Sequence, residues 1–85
     1  MEYIATRLGE QQMDGSDLGQ ILILCETEIS IETIRSIIST SIQELLNQEK
    51  INHFDVLDQQ KRMLDSLETH ISYAINNGLL TAVKN

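Results

Sequence analysis

Residues 53–76 read HFDVLDQQKRMLDSLETHISYAIN, two dozen positions without a glycine, in a chain that has no proline at all. Leu57, Gln60, Leu64, Leu67, Ile71 and Ala74 follow one another at alternating spacings of three and four, the period of one face of an α-helix. Asn52 can cap the start, with Asp55 in the position of a capping-box acid. Asn77-Gly78-Leu79 suits a left-handed C-terminal cap, with Gly78 taking positive φ and Leu79 folding back onto Ala74. The spacing predicts one helix from 53 to 76, about 36 Å long at 1.5 Å per residue. Phe54, Val56, Met63 and Ile75 widen its apolar side.

Upstream, Ser30 is a good N-cap and Glu32 complements the positive helix end. Ile31, Ile34, Ile38, Ile42 and Leu45 form a second stripe, widened by Ile37 and Leu46. β-Branched residues slightly lower helix propensity, so tertiary packing has to hold this segment. It would run from 31 to 49, about 28 Å. The longer helix then overhangs it, and a second molecule is expected to cover the overhang.

A third segment begins at Ser16 or Asp17, with Leu18, Ile21, Leu22 and Cys25 on one face. Ile21-Leu22-Ile23-Leu24 would also fit a buried strand, but no second convincing strand stands ready to pair with it. A helix over 17–26 is the better reading. Gly19 inside it costs up to about 1 kcal/mol relative to alanine, which close approach of a neighbouring helix would explain. Ahead of it, Gly9 and Met13-Asp14-Gly15-Ser16 interrupt the chain, and Ile4 and Leu8 at i, i+4 spacing suggest a frayed helical turn.

The expected fold is therefore all-α. It has three main helices, about 17–26, 31–49 and 53–76, and a short frayed N-terminal helix, packed as a helical hairpin in a homodimer. Residues 1–15 are expected to be flexible or partly helical, and 16–85 to form a single helical domain. Ile34, Ile38, Ile42, Leu45, Leu57, Leu64, Leu67 and Ile71 are the candidate core or interface residues.

Composition bounds the function. A domain of 85 residues buries only about 60–65% of the surface its unfolded chain exposes, and oligomerisation is one remedy. Thirteen acids against six bases give a net charge of -7, which disfavours direct binding to phosphate backbones and suits a basic protein partner. Cys25 is the only cysteine, so no intrachain disulfide is available and a cytoplasmic setting is expected. The opening residues lack the pattern of a signal peptide, and the apolar run from Ile21 to Cys25 is far short of the roughly 20 residues a membrane helix needs.

Catalytic chemistry finds little footing. His53 and His70 on one helix would stand about 25 Å apart, too far to share a metal. Cys25 sits in an apolar run without a neighbouring base, which describes a buried, inert thiol. Asp55 and Asp58 share a helix with many other carboxylates, and capping accounts for Asp55. There is no glycine-rich phosphate loop, and Tyr3, Phe54 and Tyr73 are too few for a base-stacking platform. No catalytic residue, metal or cofactor is expected, and the apolar stripes point to recognition instead.

Leu18-Gly19-Gln20, then Ile37-Ile38, Ile42 and Leu45, then Ile51 and Asp55-Val56 resemble the small AriR/YmgB-type regulators of biofilm formation and acid resistance, without gaps from about 18 to 57. The resemblance implies a dimer with a three-helix core and no enzymatic activity. It further implies a connector that tunes a two-component phosphorelay, with promoter binding as a further role that the acidity of this chain opposes. The stretch from Met63 to Asn85 departs from that pattern. A runner-up likeness, from Phe54 through Leu64, Ser66 and Ile71 to Tyr73, is to the small helical co-chaperones of type III secretion needle subunits. A DNA-binding transcriptional regulator is the third alternative.

Overall fold

Tyr3-Ile4-Ala5 does not coil. In the computed structural model, which describes residues 1–48 and 54–83, strand β1 (Glu2–Ala5) is followed by a four-residue helix α1 (Arg7–Glu10). Strand β2 (Ile29–Ser30) pairs antiparallel with β1 through Glu2 opposite Ser30 and Tyr3 opposite Ile29. Strand β3 (Leu80–Val83) lies on the other side, also antiparallel, from Glu2 opposite Val83 to Ala5 opposite Leu80. The sheet order is β2-β1-β3. The fold is thus mixed α/β, and the all-α expectation is corrected. The i, i+4 match between Ile4 and Leu8 was fortuitous: Leu8 is exposed, while Ile4 faces away from the helices opposite Thr81. Tyr3, Ala5 and Leu80 turn inward, because successive side chains of a strand alternate between its faces.

The four longer helices are α2 (Asp17–Leu24), α3 (Ile31–Asn47), α4 (Phe54–Asp65) and α5 (Leu67–Asn76). Of these, α5 packs against β3 and α3 leads directly out of β2, while α2 and α4 pack on the other helices. Ser16 and Ser30 cap α2 and α3, each hydroxyl accepting an amide hydrogen three residues on. The single helix expected over 53–76 is two. Ser66 (φ -110°, ψ 18°) leaves helical geometry, and its hydroxyl donates back to the Arg62 carbonyl. Such back-bonding by serine bends helices. The bend lets α4 lie along α3 while α5 turns onto the sheet.

The consequence for length is direct. Helix α3 is about 26 Å long, α4 about 18 Å and α5 about 15 Å. Neither half overhangs α3, so the overhang that called for a second molecule is gone. The proposed cap Asn52 and the expected helix start at His53 lie outside the described residues. The other end of the segment is a Schellman cap. Gly78 has φ 72°, Leu79 N–H donates to Ala74 C=O at 2.7 Å and Gly78 N–H to Ile75 C=O at 3.1 Å.

One buried cluster joins these elements: Ile21, Leu22 and Cys25 around α2, Ile34 and Ile38 of α3, Met63 of α4, Leu67, Ile71 and Ala74 of α5, then Leu79 and Leu80. It fills the base of the α3/α4 hairpin. Ile42 and Leu64 are half-buried against it, and Leu45 and Leu57, nearer the tip, are half-buried beyond it. The molecule measures 40 × 24 × 19 Å, long along the hairpin.

Candidate interaction surface

Helix α2 has eight residues, about 12 Å, and it crosses a hairpin whose α3 is about twice that length. It therefore covers only the base. Where its cover ends, a furrow of about 230 Å³ opens between Ile23 and Leu24 of α2, Ile37 and Ser41 of α3, and Gln60 and Met63 of α4. The floor is the buried edge of the core, Ile38 and Met63. On the α3 side it runs into a shallow depression of about 340 Å³ that reaches Thr40 and Glu44. Ile23 is 45% exposed and Ile37 42%. Val56, also 45% exposed, stands one turn before Gln60 on the same side of α4 and prolongs the apolar wall towards the hairpin tip.

Polar contacts fix how α2 sits on α4. Arg62 Nε donates to Asp17 Oδ2 at 3.2 Å and its Nη2 to Oδ1 at 3.3 Å. Gln59 Nε2 donates to the Gly15 carbonyl at 2.8 Å, and Gln20 Nε2 to Gln59 Oε1 at 3.4 Å. The Arg62 guanidinium hydrogen bond holds the Asp17 carboxyl below its ordinary value, against the opposing effect of partial burial, and the same pair raises Arg62. The arginine side chain is 60% exposed, so this bridge is worth no more than about 1 kcal/mol. Its effect is to orient α2. Asp14 caps the preceding turn by accepting both the amide and the hydroxyl hydrogen of Ser16, which lowers its carboxyl as well.

Glycines mark the tight places. A Cβ on Gly19 would stand 2.1 Å from Asp14 Oδ1 and 2.6 Å from its amide nitrogen, so what approaches Gly19 is the chain's own loop rather than a neighbouring helix. Gly9 does more than interrupt the chain: it is packed against the backbone of Leu79.

The remaining reactive groups are held quietly. Cys25 is fully buried in the core, and desolvation pushes its thiol up to about 11. His70 Nδ1 lies 3.0 Å from the Ser66 carbonyl and 3.2 Å from its hydroxyl, contacts within its own helix turn. It lines an open depression of about 360 Å³ with Leu18, Thr69 and Tyr73. Among the described residues, no group of three or more His, Cys, Asp or Glu side chains is placed to hold a metal ion.

Of the residues singled out from sequence, Ile34, Ile38, Leu67 and Ile71 are buried within the chain, and Ile42, Leu45, Leu57 and Leu64 are half-buried along the hairpin. Met63, read as flanking surface, is 1% exposed. The furrow brings together Ile23 and Ile37, and Val56 stands one turn beyond its Gln60 wall on α4; stripe-counting left all three outside the core set. Their signal was an apolar residue one position off the buried phase, legible only once α2 is known to be short. Among the described residues no helix is long and apolar enough to cross a membrane. Compared with known proteins, the chain matches no family model, no curated protein and no solved structure.

Proposed function

We propose that this chain is a small non-enzymatic regulatory protein of the cytoplasm that works by binding another protein through the α2/α3/α4 furrow. The observation that supports the reading is the exposure of Ile23 and Ile37 around one depression, with exposed Val56 one helical turn beyond it on α4, in a domain that already has a closed core. Aliphatic anchors over a helical groove suit the docking of a partner helix. The likeness of residues 18–57 to the AriR/YmgB-type regulators supplies the role: a connector that tunes a two-component phosphorelay controlling biofilm and acid-resistance genes. A pull-down from native lysate tests it. Wild type should retain a signalling protein that a folded Ile37→Asp variant loses; equal retention by both would sink the proposal.

Self-association is the second reading. It is favoured by Leu46, 53% exposed on the opposite flank of α3, about 180° around from Ile37. Light scattering at micromolar concentration decides it, a stable monomer counting against the dimer.

A further inference from the structure

We propose that the furrow accepts a helix that is apolar on one face and cationic along its margins; this rests on the association reading above. The geometry sets the shape of the occupant. Two antiparallel helices make the floor, α2 covers the first 12 Å or so, and the rest of α3 runs on for about 14 Å. A helix of two to three turns laid there continues over the tip what α2 does over the base. Its apolar face would meet Ile37 and Val56, with Ile23 at the inner end.

Charge selects the chemistry. Glu44 lines the α3 margin. Asp55, next to Val56, stands exposed on the α4 margin, and Asp58 lies further round the same flank, near enough to Arg62 to act on its guanidinium. Among the described residues, no cation of α3 or α4 is left to balance them. Arg62 is engaged with Asp17 and Arg35 with Glu68, while Lys61 points about 160° away from Met63 on the far side of α4. The whole chain carries a net charge of -7. A second copy would bring the same acidic margins into contact with these, and a nucleic acid would bring phosphates. Lysines or arginines flanking an apolar stripe complement them and speed encounter.

The test uses the full chain and a dye-labelled synthetic peptide of about 14 residues, with leucines at helical spacing on one face and lysines elsewhere. A twin peptide carries glutamates in place of the lysines. Fluorescence anisotropy should show the lysine peptide binding at least about tenfold tighter than its twin, with affinity falling as salt rises. Val56→Asp and Ile37→Asp, both at exposed positions, should each weaken that binding about tenfold or more. Each adds a negative charge, so a merely diffuse attraction to an acidic protein would grow. Leu8→Asp, exposed on α1, is the control that should keep full binding. Glu44→Gln combined with Asp55→Asn should lower affinity for the lysine peptide and flatten its salt dependence.

Unchanged or tighter binding by Val56→Asp and Ile37→Asp overturns the proposal. Equal binding of the two peptides, still sensitive to Val56→Asp, overturns the cationic preference and leaves the association reading standing. Failure of both peptides overturns it too; a dimer that Val56→Asp dissolves would then identify the occupant as a second copy.

Discussion

Replacing Gly9 by alanine should destabilise this fold far more than a single methyl group would suggest. The new Cβ would stand 2.1 Å from the Leu79 carbonyl oxygen, 3.0 Å from its carbon and 3.3 Å from its Cα. The obstacle is backbone, so no rotamer change relieves it. That carbonyl also accepts the Thr6 amide at 3.0 Å, while the Leu79 amide is held by Ala74 at 2.7 Å. To reach ordinary contact the entry to β3 must retreat by about 1.3 Å, dragging the buried Leu79 and Leu80 with it. Overpacking of this kind costs about 1–3 kcal/mol, and a strained or lost Thr6–Leu79 bond about 1 more. The alanine returns about 0.4–1 kcal/mol through reduced freedom of the unfolded chain. A net loss of about 1–3.5 kcal/mol remains, against a total stability of about 4–13 for a domain of this size. Urea unfolding followed by far-UV circular dichroism reads it, and the melting temperature should fall by about 10–20 °C. Gly15→Ala is the internal control, because nothing lies within 4 Å of its would-be Cβ and its φ is not positive. It should be neutral or slightly stabilising. If Gly9→Ala unfolds within about 0.5 kcal/mol of wild type, the close approach of α1 to β3 is wrong.

Two further outcomes follow from the ionisable groups. With its thiol raised to about 11 from an ordinary 9.0, Cys25 favours the folded state fully below pH 9, and that contribution, on the order of 2–3 kcal/mol, is lost as the pH climbs to 11. Native protein at pH 8 should accordingly resist iodoacetamide that labels it promptly in urea, and labelling of native protein at the free-thiol rate would contradict the burial. For Asp17 the sign is opposite. Its carboxyl is lowered in the fold, so its contribution is present above about pH 4 and disappears as the pH falls through the folded-state value. The stability gap between wild type and Asp17→Asn should be under about 1 kcal/mol at pH 7 and shrink steadily as the pH is lowered below about 4; a gap that stays constant into acid would show that the variant's cost is not electrostatic.

The helical parts of this fold were readable because each repeats its period over several turns. Ile34 and Ile38 on α3, and Leu67, Ile71 and Ala74 on α5, sit in the core at the phase their spacing gave them. Ser16, Ser30 and Gly78 terminate helices for reasons visible in the residue type. The sheet was hidden because none of its strands exceeds four residues, too short for a two-residue period to stand out, and because its pairs join positions far apart in the chain. Ser66 was equally opaque. A serine inside an unbroken apolar stripe does not announce that its hydroxyl will turn back to a carbonyl and bend the helix. The furrow depended on both failures, since it exists where a short α2 leaves a hairpin that a straight 24-residue helix would have filled differently.

Strand β1 sits in the middle of the sheet, yet it is made well before its longer neighbour β3, with every helix in between. Glu2 faces Val83, so this ladder closes a loop of nearly the whole chain before its first pair is gained. Closing such a span is an entropic cost that precedes the reward, and non-local pairing of this kind is slow compared with helix formation. At about 5–20 residues per second, a nascent chain holds Tyr3-Ile4-Ala5 with one open edge for several seconds while the helices are made. Throughout that interval the strand is held along its other edge by β2 and by the Cys25 carbonyl, which accepts the Ala5 amide at 2.8 Å. The helices made in between must therefore cover this stretch of the growing chain until β3 arrives to close the edge.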